Sequence, residues 1–396
     1  MRLQSDDAAI SPPASRTYAW IVFALTFGLL LSDYMSRQVL NVVFPYLKSE
    51  WALTDGRLGA LSGIVSFAVG ALAIPLSLLA DRWGRIKSLV LMAALWSMAT
   101  LSCGFASNFE EMLFARALVG VGEAAYGSVG LAVVLAAFPI NMRATLTGAF
   151  LSGGMIGSVL GISLGGLIAA HWGWRATFVG MALFGLALTI AYPFVVKEAR
   201  PVAKNSSEGS ASLRTLIGSR AVICAYLGSG VQVFISGALL AWLPSYLNRQ
   251  YHLPVARAGL VTAVFVLTSA IGMTVCGRIC DRFGANAPET KMSLAVVFCL
   301  ICFVLLTFAF QLPVGVPQLV LIALGMFIGA GTVGPAGAMV ADLTPMVVHG
   351  TAFAILSLAN NLLGLAPGPV VTGMLADAFG LPAALQLVPL ASLVSA

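Results

Sequence analysis

The chain has 396 residues, of which 59% are hydrophobic and only 9% are charged, and its formal net charge is +6. Soluble proteins carry about 25% charged residues, so this composition excludes a globular protein with a water-facing surface. The basic residues flank apolar segments, which argues against nucleic-acid binding. The six cysteines lie in apolar stretches and the three histidines lie far apart in the sequence, so neither predicts a metal site. The chain is therefore predicted to be an all-α polytopic membrane protein.

Twelve apolar segments follow one another, and we number them span one to span twelve. Each is long enough, or nearly so, to cross about 30 Å of hydrocarbon. They are predicted near residues 18–44, 57–79, 87–106, 111–137, 144–170, 175–196, 220–247, 258–280, 291–311, 316–341, 350–375 and 381–396. Span twelve is expected to be short or truncated, because only residues 383–396 follow Pro382.

A polar stretch divides the spans into six plus six. Residues 197–219 contain KEARPVAKNSSEGSAS, and this Ser, Lys, Glu and Pro content is typical of a linker. The sequence thus predicts an N-terminal six-helix bundle (1–196), a cytoplasmic linker (197–219) and a C-terminal six-helix bundle (220–396).

The distribution of Lys and Arg predicts the orientation in the membrane. Apart from Arg37 and Arg116, which fall inside spans, few basic residues lie on the side opposite the N-terminus. These few are Lys48, Arg57, Arg175, Arg249 and Arg257. The positive-inside rule then places both termini and the linker in the cytoplasm. We expect an integral protein of a bacterial-type inner (plasma) membrane, without a cleavable signal.

Two pairs of similar segments indicate that the halves are repeats. LLADRWGRIK at 78–87 and RICDRFGAN at 278–286 share D-R-aromatic-G, and FPINMRATLTGAF at 138–150 is similar to LTPMVVHGTAFAI at 343–355. Two parallel repeats of six spans each are typical of transporters whose two halves move around a binding site at the middle of the membrane.

The D-R-aromatic-G loops are candidates for a gate on the cytoplasmic side. Charges at one helix end can dock on neighbouring helix ends in one state and separate in the other, while a glycine allows the tight turn. The alternative is that these arginines only mark topology. The gating candidates, to which the span-four arginine is added, are Asp81, Arg82, Gly84, Arg85, Arg116, Arg143, Asp281 and Arg282.

On these motifs the chain resembles the major facilitator superfamily. DRWGRIK, its second copy and RALVGVG at 116–122 carry the resemblance, although Ser77 replaces the glycine that begins the family's loop motif. Within the superfamily, ARALVGVGEAAYGS at 115–128, LTDGRLGAL at 53–61 and WGWRATF at 172–178 resemble spinster-like transporters. The anion:cation symporter branch shares a first-span arginine and a span-four GEA, and it remains a competitor.

Four ionisable residues lie well inside spans, where each costs at least about 2.5–3.5 kcal/mol if isolated. Asp33 and Arg37 are four residues apart on span one, and Arg116 and Glu123 are seven apart on span four, so each pair shares a helix face. The resemblance implies that both spans line a central cavity.

A carboxyl group is ionised more readily when a guanidinium is close, so movement of Arg37 relative to Glu123 would change the protonation of Glu123. We predict that Glu123 and Asp33 couple protons and that Arg37 binds substrate. Spinster-like proteins usually carry adjacent Asp-Arg in span one, whereas Ser36 precedes Arg37 here. The role of their aspartate is therefore assigned to Asp33, the acidic residue of this span. The alternative is that the charges pair to stabilise helix packing.

The second half lacks this charged stripe, because Gln232 and Ser236 stand at the positions equivalent to Asp33 and Arg37. The other substrate-binding candidates are Tyr34, Tyr126, Gln232, Trp242, Thr332, Asn360 and Asn361. The amides could instead join helices, and Trp242 could anchor at the interface. Glycines at every fourth position of span five, from Gly153 to Gly165, predict close helix packing, and prolines inside spans ten and eleven predict kinks.

The favoured function is secondary active transport of an amphipathic or organic anion by alternating access, coupled to protons and without a cofactor. The resemblance allows lysolipids or sphingoid lipids, and carboxylates such as sugar acids. The alternatives are an uncoupled facilitator or lipid-translocating protein, and a membrane sensor that binds without transport.

No nucleophile–base pair, metal spacing or phosphate loop predicts an enzyme. The expected partners are the substrate, protons and the bilayer, with the protein acting as a monomer and without nucleic acid.

Overall fold

The computed structural model describes residues 16–139, 142–196, 219–284, 288–345 and 349–396, and these ranges are almost entirely helical. Among them, eleven helices are long and apolar enough to cross a membrane, and a twelfth, Leu381–Ser395, is shorter. The predicted all-α architecture is confirmed. The predicted linker, apart from Ser219, and the N-terminal tail lie outside the described residues.

Each predicted span corresponds to a helix or to helices in direct succession. The first six spans are Arg16–Trp51, Asp55–Trp83, Arg85–Phe105, Phe109–Glu123 continued by Tyr126–Ala137, Arg143–Trp172, and Trp174–Val195. The last six are Arg220–Gln250, Val255–Gly284, Pro288–Gln311, Val316–Ala330 continued by Val333–Leu343, His349–Ala359 continued by Asn360–Leu365 and Pro367–Phe379, and Leu381–Leu387 continued by Leu390–Ser395. Span one runs seven residues past its predicted end at 44, because its helix continues through Pro45 to Trp51.

Prolines explain the interruptions of spans ten and eleven. Span ten breaks at Gly331 and Thr332, where Pro335 has no N–H to donate to the carbonyl of Gly331. Span eleven widens into a π-helix over Asn360–Leu365, ahead of Pro367, and the N–H of Ala366 donates to the carbonyl of Asn361 at 2.9 Å. Both spans are therefore irregular next to these prolines, and the predicted kinks stay a prediction.

The two halves meet along pairs of spans that the repeat relates to one another. Span two packs against span eleven, span five packs against span eight, and span one contacts span seven. In the repeat, span two corresponds to span eight and span five to span eleven, so the two long contacts are equivalent by pseudo-symmetry. The space enclosed between the halves is therefore bordered by spans one, two, five, seven, eight and eleven.

Small residues bring span five against span one. A Cβ on Gly161 would lie 2.8 Å from the Cα of Met35, and one on Gly157 would lie 2.9 Å from the carbonyl oxygen of Leu31. Only glycine permits backbones to approach so closely. The close helix packing predicted for span five is thus present, and it involves the segment of span one that carries the charged residues.

Candidate functional site

Arg37 of span one and Glu123 of span four form an ion pair inside the N-terminal half. Both Nε and Nη2 of Arg37 donate to Oε2 of Glu123, at 3.1 and 2.8 Å. The Glu123 side chain is fully buried, whereas the Arg37 side chain is 16% exposed. Because part of the guanidinium is accessible, Arg37 can contact an anion while it is paired with Glu123.

The carboxyl group of Asp33 lies beside this pair. Asp33 is buried, one helical turn before Arg37, and it is close enough to interact with the charges of both Arg37 and Glu123. Oδ1 of Asp33 and Oε1 of Glu123 are buried and have no hydrogen-bond partner among the described residues. An ionised carboxylate only accepts hydrogen bonds, so these two oxygens cannot bond to each other while both groups are charged.

Arg116 is fully buried but contacts no carboxylate in the described part of the chain. Its Nε donates to the carbonyl of Leu61 at 3.2 Å, and Nη1 and Nη2 donate to the carbonyls of Ser36 and Arg37 at 3.0 and 3.3 Å. Arg116 therefore joins span four to spans one and two through their backbones. It lies away from the loops with which it was grouped as a gating candidate.

Span four is interrupted directly after Glu123. The first helix ends at Glu123, and the second begins at Tyr126. Irregular backbone inside a membrane protein occurs where neighbouring helices or a cavity satisfy it. The interruption places Glu123 at a helix end that faces span one.

A cavity of about 200 Å³ lies between the two halves beside Arg37. All the polar side chains in the lining come from spans one, two and five, whereas the lining side chains from spans seven, eight and eleven are apolar. The lining residues are Tyr34, Arg37, Gln38, Asn41, Ser62, Ser66, Leu151, Gly154, Met155, Ser158, Gly237, Leu240, Met273, Leu365 and Pro369. Of the substrate-binding candidates, Arg37 and Tyr34 line it, and Tyr34 lies beneath the guanidinium at 5.5 Å.

A row of three polar side chains extends from Arg37 along the cavity wall. The hydroxyl of Ser62 donates to Oδ1 of Asn41 at 3.0 Å, and Nδ2 of Asn41 donates to Oε1 of Gln38 at 2.9 Å. Sequence reasoning missed these residues. Asn41 is four residues after Arg37, so the helical spacing that related Asp33 to Arg37 could have indicated it.

Comparison with known proteins identifies the family. The family described as Major Facilitator Superfamily matches residues 26–365. The chain belongs to the Major Facilitator Superfamily. It is consequently a membrane transporter rather than an enzyme, since the family and the named relatives are transporters.

Two relatives and one solved structure place it within the superfamily. The "Probable L-galactonate transporter" of Escherichia coli K12 is 28% identical over 70% of this chain and 65% of that protein. "Protein spinster homolog 1" of Xenopus laevis is 26% identical over 90% of this chain and 73% of that protein. The predicted resemblance to spinster-like transporters is confirmed, and a sugar-acid transporter is also a relative.

The solved structure is a bacterial homolog of the human lysosomal transporter Spinster in an inward-facing, unoccupied conformation. It superposes with a TM-score of 0.88 at 19% identity, over 97% of this chain and 96% of that chain. This likeness confirms the twelve-span major facilitator fold.

Two aromatic candidates for substrate binding lie outside the cavity lining. Tyr126 is fully buried, and its hydroxyl donates to the carbonyl of Thr26 at 2.6 Å. Trp242 is also fully buried, and its Nε1 donates to the carbonyl of Pro369 at 2.9 Å. Both side chains have satisfied polar atoms, so in this conformation they hold helices together.

The amide and hydroxyl candidates of the C-terminal half likewise bond within the protein. Ser392 donates to Gln232 Oε1 at 3.0 Å, and Ser229 donates to Asn360 Oδ1 at 2.8 Å. The hydroxyl of Thr332 donates to the carbonyl of Gly329. None of these side chains is in the cavity lining.

Asn361 also lies outside the cavity lining but differs from these candidates in one atom. Its Nδ2 donates to the carbonyl of Ser357, while its buried Oδ1 has no hydrogen-bond partner among the described residues.

The loop gating candidates lie at exposed helix ends. Arg85 pairs with Asp81 at 3.3 Å within one loop, and Gly84 adopts φ 104°, which favours glycine. Arg82, Arg143, Asp281 and Arg282 are exposed. Their contribution to a gate stays a prediction.

The opposite end of the molecule carries a contact between the halves that the sequence did not predict. Nη2 and Nη1 of Arg249 on span seven donate to Oδ1 and Oδ2 of Asp55 at 2.7 and 2.8 Å, and Lys48 donates to Oδ1 at 2.6 Å. The carboxylate of Asp377 on span eleven accepts from the N–H groups of Asp55 and Gly56. These bonds close this end of the molecule around the start of span two.

Proposed function

We propose that the protein transports a small organic anion together with a proton, by alternating access of the cavity beside Arg37. The observation that carries this proposal is the Arg37–Glu123 pair, in which Arg37 lines the cavity and keeps part of its guanidinium exposed. Charges inside a membrane protein face a cavity or a partner, and this arrangement has both.

Arg37 is the binding site for the anionic group of the substrate. A planar guanidinium binds carboxylates through two parallel hydrogen bonds. The relationship to a protein named "Probable L-galactonate transporter" supports a carboxylate as the substrate. The ring of Tyr34 packs against the guanidinium and stabilises it through a cation–π contact at the cavity wall.

Competition for Arg37 supplies the coupling to protons. When a substrate carboxylate takes hydrogen bonds from Arg37, Glu123 loses part of its ion pair. A buried carboxylate without such a partner is unstable, so Glu123, or Asp33 beside it, takes up a proton. Substrate and proton then travel in the same direction, and release of the anion restores the Arg37–Glu123 pair.

Transport of a lipid is the second candidate, because the spinster homolog is similar over most of this chain. The cavity volume of about 200 Å³ is below the range of about 300–1,000 Å³ that drug-sized ligands occupy. A lysolipid with a long acyl chain would therefore need a much larger opening, which favours the small anion.

The remaining assignments are proposed from the sequence. The N-terminal bundle (1–196) carries the coupling charges, and the C-terminal bundle (220–396) moves against it, with residues 197–219 as the connection. The protein acts as a monomer in a bacterial-type inner membrane, with both termini in the cytoplasm. Cytoplasmic and periplasmic reporter fusions placed at the termini and in the loops test this orientation.

Uptake into proteoliposomes tests the coupling. A radiolabelled sugar acid such as L-galactonate is offered with and without an inward proton gradient, and exchange of labelled for unlabelled substrate is measured separately. We expect Glu123→Gln to abolish stimulation by the gradient while exchange persists, because exchange needs no net proton movement. Glu110→Gln is the matched control, since Glu110 is exposed on the same helix.

Three outcomes would contradict the proposal. Undiminished stimulation by the gradient in Glu123→Gln would rule out Glu123 as the proton carrier. Flux of a lysolipid but of no carboxylate would favour lipid transport. Binding without flux under any gradient would identify a sensor.

A further inference from the structure

The two carboxyl groups proposed to carry the proton lie outside the cavity. Asp33 and Glu123 are both buried, and neither is in the cavity lining, whereas their neighbours Arg37 and Tyr34 are. In this conformation a proton on either carboxyl group does not face the water of the cavity. Its exchange with water therefore needs a different route through the protein.

Two buried serine hydroxyls in the interior of the N-terminal half lie at the level of these carboxyl groups. Ser32 directly precedes Asp33 on span one. Ser97 on span three follows Trp96, whose backbone nitrogen would lie 2.7 Å from a Cβ on Gly122, the residue directly before the span-four glutamate. Both hydroxyls are buried and have no hydrogen-bond partner among the described residues. Polar groups that are neither exposed nor bonded to protein are the ones that internal water binds.

Span six brings the two hydroxyls together at a glycine. A Cβ on Gly185 would lie 2.5 Å from Oγ of Ser32 and 2.5 Å from Oγ of Ser97. The two oxygens are therefore at most about 5 Å apart, which is twice that distance and a separation that one water molecule bridges with two hydrogen bonds.

A row of polar side chains continues from this point to the end of span six. Thr189 is one turn after Gly185, and its hydroxyl donates to the carbonyl of Gly185 at 2.7 Å. The hydroxyl of Tyr192, three residues further on, lies 2.9 Å from Oγ1 of Thr26 on span one. All three side chains are buried, and span six ends at Val195. This is the end that the sequence predicts to face the cytoplasm.

We propose that the hydroxyls of Ser32 and Ser97, with water bound between them, begin a proton path from the Asp33–Glu123 pair to the cytoplasmic end of the N-terminal half. The inference rests on the proposed function, because it assigns a route to the proton of the same transport cycle. Hydroxyl groups and water both donate and accept hydrogen bonds, so each can receive a proton on one side and release one on the other. The substrate leaves through the cavity, and the proton leaves through the interior of the bundle.

Arg116 closes this path in the opposite direction. It lies about two helical turns from Glu123 toward the other end of span four, and it is fully buried. Its guanidinium is fixed by hydrogen bonds to the carbonyls of Ser36 and Leu61. A fixed positive charge repels a proton, as arginines do in pores that exclude protons. The carboxyl groups consequently reach the other side of the membrane only through the cavity, when the two halves separate there.

Exchange of the carboxyl proton for deuterium tests the path without a substrate. The purified full chain in lipid nanodiscs is held at an acidic pH at which the buried carboxyl group is protonated. It is then transferred to buffer in D2O, and the shift of the carboxyl band is followed by infrared spectroscopy. The band is assigned by its loss in Glu123→Gln or Asp33→Asn.

The serine variants should slow this exchange. We expect Ser32→Ala and Ser97→Ala each to lower its rate about tenfold, because each removes a hydroxyl that holds the bridging water. Ser102→Ala makes the same change at an exposed position of span three and should leave the rate unaltered. Damage to the fold would open the interior and speed the exchange, so a slower rate cannot come from a misfolded variant.

A pair of glycine variants provides a second measurement. Gly185→Ala places a methyl group 2.5 Å from both hydroxyls, and by displacing the water between them it should also slow the exchange. Gly180→Ala is the control on the same span, because a Cβ there meets only Cδ1 of Ile168, at 3.9 Å.

Two results would overturn the inference. Exchange at the unaltered rate in both serine variants would rule out the path and leave coupling through Glu123 in place. Slower exchange in Ser66→Leu, which narrows the cavity, would then assign the proton to the cavity instead. A carboxyl band that depends on neither Glu123 nor Asp33 would overturn the proposed proton carrier together with the path.

Discussion

Arg249 of span seven holds the carboxylate of Asp55 at the start of span two through two hydrogen bonds of 2.7 and 2.8 Å. The Asp55 side chain is only 4% exposed, and Lys48 contacts the same carboxylate. The residues of this pair are on different halves of the transporter. The contact must therefore break whenever the halves separate at this end.

Neutralising Asp55 should favour the conformation that is open at its end of the molecule. Asp55→Asn removes the charge that Arg249 and Lys48 share, and we expect the equilibrium to shift about tenfold, which corresponds to about 1.4 kcal/mol. The measurement is the labelling rate of a cysteine introduced at Leu240, in a background without other cysteines, by an impermeant reagent added from that side.

Glu50→Gln provides the matched control for this shift. Glu50 lies at the same end but pairs with Arg175 of its own half. An equal change in labelling rate for both variants would mean that the Asp55–Arg249 contact does not control opening.

Replacing Arg37 by lysine should weaken substrate binding more than it slows turnover. Lysine keeps the positive charge but cannot donate two parallel hydrogen bonds to a carboxylate. We expect KM for the transported anion to rise about tenfold while kcat falls less than threefold, measured as initial uptake rates in proteoliposomes. Arg57→Lys makes the same change at the exposed start of span two. A KM that stays at the unaltered value would show that Arg37 does not bind the substrate.

Arg116 should matter chiefly for stability. Arg116→Gln leaves at least two of the carbonyls of Ser36, Arg37 and Leu61 without their donor, at a cost of about 2–4 kcal/mol in the free energy of unfolding. A lower midpoint of thermal unfolding in detergent is the expected result. Arg143→Gln, at the exposed start of span five, should leave the midpoint unchanged. Loss of transport with an unchanged midpoint would instead support the gating role predicted from the sequence.

The contact between spans one and five should be sensitive to a single methyl group. Gly161→Ala places a Cβ 2.8 Å from both Cα and the carbonyl oxygen of Met35, and we expect a destabilisation of about 1–3 kcal/mol. Gly148→Ala is the control on the same span, because a Cβ there meets no atom within 4 Å. Thermal unfolding and uptake measured on both variants check the prediction, and equal behaviour of the two would contradict it.

Charged residues of the candidate site were accessible to sequence reasoning because charges inside spans are costly and therefore rare. Asp33, Arg37 and Glu123 stood out against a background that is 59% hydrophobic. Uncharged polar residues carry no such signal. Asn41 and Ser62 line the cavity and Gln232 and Thr332 do not, yet all four lie in apolar spans.

Contacts between charged residues at the ends of spans could not be predicted from the sequence. Asp55 and Arg249 are separated by 194 positions, and each looks like an ordinary charged residue at a membrane surface. Only the packing of one half on the other brings them together. The same holds for Arg116, whose partners are backbone carbonyls that every residue possesses.

By itself, the sequence determined that the chain spans the membrane with twelve segments in two related halves, because hydrocarbon demands long apolar helices and repeats preserve their motifs. It also singled out the buried charges. The tertiary structure decided which of those charges pair, which polar side chains face the cavity and which end of the molecule is closed. These features depend on the rotation of each helix about its axis and on contacts between distant spans, and neither is specified by hydrophobicity or spacing within one segment.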